Sequence, residues 1–195
     1  MHPRVTAKLR AELAIHSISS PIKDSEAREL PYLQAIVREG LRTFPPVVGL
    51  MSKEVPPEGD MIHGKFVPGG TKIGFGAWGI FRNQEFWGED ADQFRPERWI
   101  ENSPEKIKEM DYTLELVFGW GRYQCLGKNL AMMELNKIFV QVSCQAISRN
   151  PVDKEQLLRN FDFNVVNPFN PVNSVCHGIF FQSEMWITAF EREKS

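Results

Sequence analysis

A single cysteine, Cys125, follows the glycine- and aromatic-rich stretch Phe118-Gly119-Trp120-Gly121-Arg122-Tyr123-Gln124 and introduces a long helical pattern, Leu126 to about Ala146. No other feature restricts the fold as much. The chain has to hold an irregular, glycine-hinged loop against the start of a helix. The first amides of a helix have no internal partners, and the helix dipole favours negative charge there. A thiol in that setting leans toward thiolate, the form that binds metals or attacks electrophiles.

Upstream, Val5, Leu9 and Leu13 recur at helical spacing, which predicts a helix over Pro3 to Ile15, with Arg4, Lys8, Arg10 and Glu12 on other faces. The polar stretch Ser17 to Glu29 reads as a loop containing a short helix. A second helix starts near Pro31, a favoured first-turn residue, buries Leu33, Ile36, Val37 and Leu41, and ends at Pro45-Pro46. Prolines and Gly59 break 47–67 into short extended pieces. Lys65-Phe66-Val67 and Thr71-Lys72-Ile73, joined by Pro68-Gly69-Gly70, predict a tight hairpin. Phe75 to Phe86 reads as a short helix and turn, and Asp90 to Leu114 as a meander with a helix at Pro104 to Met110. Phe161-Asp162-Phe163-Asn164-Val165 alternates like a strand, followed by Asn-Pro turns and strands near Gly178–Phe181 and Met185–Phe190. The result is mainly α with small antiparallel sheets, not the alternating order of a doubly wound sheet.

Length and composition fit one domain over 1–195 with a real core: 195 residues, 42% apolar and 25% charged. The net charge of −2 gives no footprint for nucleic acid. Cys125, Cys144 and Cys176 form neither a disulfide framework nor a Cys-x-x-Cys spacing, which fits a reducing compartment. No run of eighteen apolar residues marks a membrane span, and Met1-His2-Pro3-Arg4 lacks the apolar stretch of a signal peptide. His2, His16, His63 and His177 show no ligand spacing.

Two further stretches matter. Glu39 and Arg42 are three apart on the second helix and share a face. As surface decoration such a pair is worth roughly 0.2–0.5 kcal/mol. Farther on stands Phe94-Arg95-Pro96-Glu97-Arg98-Trp99. In this order the three motifs resemble the cytochrome P-450 superfamily of haem-thiolate monooxygenases. Phe118, Gly121, Cys125 and Gly127 match its loop Phe-x-x-Gly-x-Arg-x-Cys-x-Gly. Glu39 and Arg42 match its Glu-x-x-Arg, and residues 94–99 its Phe-x-Pro-Glu-Arg-Phe/Trp. One position departs: Tyr123 stands where the family usually has a basic residue, and Arg122 lies one place earlier.

The resemblance implies a C-terminal, haem-proximal part of that fold, with haem b (iron protoporphyrin IX) as cofactor. Cys125 would be the axial ligand to the iron, and Phe118 would shield the sulfur side. Gly119, Gly121 and Gly127 would admit backbone close to the ring, and Arg122 and Lys53 would reach its propionates. Arg98 would join Glu39 and Arg42 in a buried structural network. Val48, Leu50 and Ile179 would line a substrate pocket. The partners implied are a small organic substrate and a reductase that passes on electrons from NADPH. Fungal members near pisatin demethylase are the most similar in feel, which points to hydroxylation or O-demethylation in secondary metabolism. Full-length relatives usually sit on the endoplasmic reticulum membrane. The central oxygen-activating helix and the N-terminal half of the family have no counterpart here. A truncated chain that does not turn over alone is therefore expected. Two other readings compete: a non-catalytic haem-binding or vestigial fragment, and a thiol enzyme using Cys125, for which no histidine base lies near in sequence.

Overall fold

The helix α3 (Pro31–Thr43) organises the molecule because both of its sides are buried. Tyr32, Leu33 and Ile36 join one core cluster with Val5, Leu9 and Leu13 of α1 (Pro3–Ile15), and with Ile22, Ala27, Leu30 and Val140. Ala35 joins a second cluster with Phe81, Trp87, Trp99, Met110, Leu114 and Val117. Leu41, expected in the buried stripe, is half-buried against this second cluster. These positions come from a computed structural model that describes residues 2–19, 21–140, 161–169, 172–176, 180–183 and 185–191.

Local chemistry accounts for the limits of α3. Pro31 presets the first turn. Leu30, at the N-cap, has no side chain able to cap. Glu12 of α1 supplies the acceptors instead: its carboxylate oxygens accept from the amides of Tyr32 (2.7 Å) and Leu33 (2.9 Å). Glu12 is therefore buried, at 9% exposure, and not on a solvent face as its charge suggests. It lies on the same stripe as Val5, Leu9 and Leu13. At the far end Phe44 donates to the carbonyl of Gly40, and Pro45-Pro46 stops the helix.

The chain between α3 and the meander forms two small antiparallel pairs. β1 (Lys53–Glu54) pairs with β4 (Lys72–Ile73), and β2 (Asp60–Ile62) with β3 (Lys65–Val67). The hairpin expected between 65–67 and 71–73 does not form. Its strands pair elsewhere because His63 (φ 48°) and Gly64 (φ 75°) make a two-residue turn with positive φ at both positions, the form that matches strand twist. Pro68-Gly69-Gly70 only carries the chain from one pair to the other: the amides of Thr71 and Gly70 go to the carbonyls of Pro68 and Val55.

The short α4 (Ala77–Ile80) and α5 (Gln84–Trp87) replace the single helix and turn expected over 75–86. The meander holds α6 (Arg98–Glu101) and α7 (Pro104–Leu114), the latter capped by Ser103, whose Oγ accepts from the amide of Lys106. α8 (Lys128–Ile138) follows the cysteine; the predicted extension toward Ala146 lies outside the described residues. Near the C-terminus, β5 (Phe161–Val165) pairs with β8 (Ile187–Glu191), and β6 (Asn173–Cys176) with β7 (Phe180–Ser183), all antiparallel. The fold is thus mixed helix with small antiparallel sheets. Among the described residues no helix is long and apolar enough to cross a membrane.

Candidate functional site: the Cys125 loop and the buried charge network

The chain reaches Cys125 from the second core cluster. Val117 is buried and Phe118 half-buried against that cluster. Beyond them, residues 120–127 are all exposed. The loop is nevertheless closed at its neck, where the amide of Cys125 donates to the carbonyl of Phe118 at 2.7 Å. Inside, Gln124 donates to the carbonyl of Gly121 at 3.0 Å. This path needs positive φ at Gly119 (73°) and Gly121 (62°), which a side chain would strain. A Cβ at Gly119 would also meet the Tyr123 carbonyl at 3.1 Å. After the cysteine, Lys128 donates to the Cys125 carbonyl at 3.3 Å and Ala131 to that of Gly127 at 2.9 Å, which starts α8. Lys128 also pairs through Nζ with Glu115.

Cys125 is a free, exposed thiol. Around it the apolar side chains face outward: Leu126 is fully exposed, Leu130 is 57% exposed, and Trp120 is 47% exposed while leaning on Tyr112 of α7 (5.0 Å). Tyr123 carries two cations against its ring. The Lys53 ammonium is 3.9 Å from its centroid and the Arg122 guanidinium 5.9 Å. Lys53, on β1, and the loop are thus brought together, which their separation in sequence does not reveal. Leu50 is exposed and bridges to Gly76, while Val48 is half-buried. Ile179 lies outside the described residues.

Against the same core cluster sits a charge network of opposite character. Glu39, Arg42 and Arg98 are all essentially inaccessible to solvent. Glu39 accepts from Arg42 Nε (2.9 Å) and Nη2 (2.8 Å), Arg98 Nε (3.0 Å), the amide of Arg95 (2.8 Å) and the indole N–H of Trp99 (3.0 Å). The two guanidiniums also donate to backbone. Arg42 reaches the carbonyls of Phe81, Ala91 and Gln93, and Arg98 those of Trp87, Asp90 and Gln93 as well as the Asp90 carboxylate. Every N–H of both forks therefore has an acceptor, the condition under which buried charge is tolerated. Burial pushes the Glu39 carboxyl up, but the hydrogen bonds and charges of Arg42, Arg95 and Arg98 outweigh it and hold the group below the usual carboxylate range. Because its acceptors run from Phe81 to Gln93, the network sets the path of the meander across α3.

A second charged cluster has no counterpart in the sequence reading. Glu97 accepts from Arg4 (2.6 and 3.1 Å), Lys8 Nζ (2.9 Å) and the Tyr32 hydroxyl (2.8 Å). It ties the first turns of α1 to the segment that supplies Arg98. Burial raises its carboxyl, and Lys8, its own backbone amide, Tyr32 and Arg4 together bring it down to about 2. Burial and the neighbouring Glu97 push the Tyr32 phenol up. Recurrence of Arg4 and Lys8 on one helical face was the available signal; their partner, some ninety residues on, was not.

The three described histidines are engaged elsewhere: His2 stacks near Phe94, His16 bonds to the Glu12 carbonyl, and His63 forms the hairpin turn. Among the described residues no cluster of three His, Cys, Asp or Glu side chains could hold a metal ion. The loop and the start of α8 thus present an exposed thiol, exposed apolar side chains at Trp120, Leu126 and Leu130, and two cations gathered on the Tyr123 ring.

The family model described as cytochrome P450 matches residues 1–143. The chain is 42% identical over 195 residues to the cytochrome P450 monooxygenase ABA1 of Pyricularia oryzae, which takes in 97% of this chain and 35% of that protein. It is 40% identical to the cytochrome P450 monooxygenase aba1 of Botryotinia fuckeliana, again over 35% of that protein. Over 84% of this chain it is 33% identical to pisatin demethylase of Fusarium vanettenii. The chain belongs to the cytochrome P450 family, and it spans about a third of the length of the curated relatives it matches. Its place among the fungal members, including pisatin demethylase, agrees with the resemblance read from its motifs.

Proposed function

We propose that this chain is the haem-proximal portion of a haem-thiolate monooxygenase, with Cys125 as the axial ligand to the iron of haem b. The observation that carries this reading is the exposed Cys125 thiol on a closed loop that also exposes Leu126 and Trp120, precedes exposed Leu130, and gathers Lys53 and Arg122 on its Tyr123 ring. The residues suit the group. A porphyrin is a flat apolar disc with two carboxylates at one edge, and the loop offers a sulfur, an apolar rim and two cations. Bound there, the iron porphyrin supplies reductive activation of dioxygen, with one oxygen atom inserted into an organic substrate and the other leaving as water.

The chain's own side chains have distinct tasks in this reading. The neck bond from Cys125 to Phe118 fixes the sulfur, and thiolate ligation strengthens electron donation to the iron. Phe118 covers the sulfur side, where water would otherwise compete. Lys53 and Arg122 neutralise the propionates, with Tyr123 gathering both cations in place of the family's usual basic residue. Val48 and Leu50 border the substrate. The Glu39–Arg42–Arg98 network performs no chemistry; it holds the meander under the loop. Electrons come from NADPH through a reductase. A small secondary-metabolite scaffold, oxidised by hydroxylation or O-demethylation, is the substrate class in keeping with a relative named pisatin demethylase.

The test is spectroscopic. The chain, loaded with haem, reduced with dithionite and exposed to carbon monoxide, should show the strongly red-shifted Soret band of a thiolate-ligated iron, and Cys125→His should abolish it. An unshifted band in the parent chain would refute the assignment.

A further inference from the structure

We propose that Asn136 is a positioning residue for the cysteine loop, the centre of a polar clasp that sets how α8 sits behind Cys125. The proposal rests on the reading of Cys125 as the haem ligand. It begins from an anomaly: of the eleven residues of α8, the one that is fully buried is an asparagine. An amphipathic helix ordinarily seats itself with apolar side chains. Here Leu130 is 57% and Ile138 50% exposed, and Met132, Met133 and Leu135 are only partly covered.

Asn136 bonds to two other elements. Its Oδ1 accepts from Gln34 Nε2 on α3 at 2.9 Å, and its Nδ2 donates to Asp24 Oδ1 on α2 (Asp24–Arg28) at 2.7 Å. Both partners are themselves held. Gln34 Nε2 donates also to the carbonyl of Ala27 at 3.0 Å, and Asp24 Oδ2 accepts from Arg28 at 2.7 Å. The chain of donors is consistent in direction, and apolar packing of the same region could not impose it. Hydrogen bonds fix distance and angle, whereas hydrophobic contact allows a helix to slide or roll.

The link to function is mechanical. The first turn of α8 is bonded to the loop through the Cys125 and Gly127 carbonyls. Asn136 lies about 12 Å along the helix from Lys128. A tilt of about 10° there carries the sulfur end by about 2 Å, far outside the tolerance of about 0.5 Å that a preorganised ligand needs. None of the three sequence motifs contains Asn136, Gln34 or Asp24.

Four variants of the 195-residue chain test the clasp: Asn136→Leu, Asn136→Asp, Asp24→Asn, and the exchange Asp24→Asn with Asn136→Asp. The exchange restores a donor opposite an acceptor, while Asn136→Asp alone sets two carboxylates face to face. Hydrogen exchange of the α8 amides in the haem-free chain is the first readout. We expect roughly tenfold faster exchange in Asn136→Leu and Asn136→Asp, with most of the protection regained in the exchange variant. The second readout is the share of haem in the thiolate-type ferrous carbon monoxide band. It should fall in both single variants at Asn136 and recover in the exchange variant, with haem content and far-UV circular dichroism maintained. Parental exchange rates and band share in Asn136→Leu would overturn the proposal, as would an exchange variant no better than Asn136→Asp. If the parent chain itself shows no thiolate-type band, the assignment of Cys125 falls and the positioning role with it, while the exchange rates still decide whether the clasp seats α8.

Discussion

The Glu39 network and the Cys125 loop both adjoin the second core cluster and are built on opposite plans. In the network, every donor of two guanidiniums and both oxygens of one carboxylate find partners within the chain, and no water reaches them. In the loop the backbone is tied at its neck, but the side chains of 120–127 point to the outside. The network is finished by the chain alone; the loop leaves its side chains exposed, and under the proposed function it takes further contacts from the haem. Damage to the first should therefore register as lost fold, and damage to the second as lost binding with the fold intact.

The largest effect should come from the network. Glu39→Gln or Arg42→Ala leaves a buried charge unpaired, which costs about 3–5 kcal/mol, a large part of the net stability usual for a folded chain. Both variants should melt far below the parent by circular dichroism and fail to incorporate haem; normal haem content in both would break the comparison. A smaller loss should follow Glu12→Ala, which removes the acceptor for two amides at the start of α3. About 1–2 kcal/mol is expected by analogy with the loss of a helix cap, read as a lower midpoint in urea. An unchanged midpoint would show that solvent serves those amides equally well.

Acid should act through Glu97. Its carboxyl is depressed to about 2 from an ordinary 4.5, so the stability it contributes is full above the ordinary value and is lost as pH falls from about 4.5 toward 2. In Glu97→Gln that acid-dependent component should vanish, leaving a flatter stability profile over the same window, whereas a profile parallel to the parent's would remove Glu97 from the account. The smallest change in stability belongs to the loop rim. Leu126→Ser replaces a fully exposed side chain and should stay within about 0.5 kcal/mol of the parent. The same variant should bind haem more weakly in a fluorescence-quenching titration; equal affinity would place the ring elsewhere.

What could be read from sequence divides along the same line. The course of α1 and α3, and the pairing of Glu39 with Arg42, follow from spacing within one helix, where a few residues decide the outcome. The Pro68-Gly69-Gly70 turn was misleading because a turn signal specifies a reversal, not which strands then pair; His63-Gly64 offered the better turn geometry. Glu12, Glu97 and Asn136 were illegible as anchors because each finds partners at least twenty residues away, and a charged or amide side chain on an apolar stripe reads by default as solvated. Lys53 beside Tyr123 is another such meeting: the family pattern suggests a cation for Lys53, but only the fold supplies the aromatic ring that holds it.

The most direct measurement is equilibrium unfolding of the haem-free chain in urea for Cys125→Ser and Glu39→Gln, side by side with the parent. If the network completes the scaffold and the loop is a binding surface, Cys125→Ser should match the parent to within about 0.5 kcal/mol while Glu39→Gln loses about 3–5 kcal/mol. Comparable losses in the two variants would contradict that division, because the cysteine would then be part of the core.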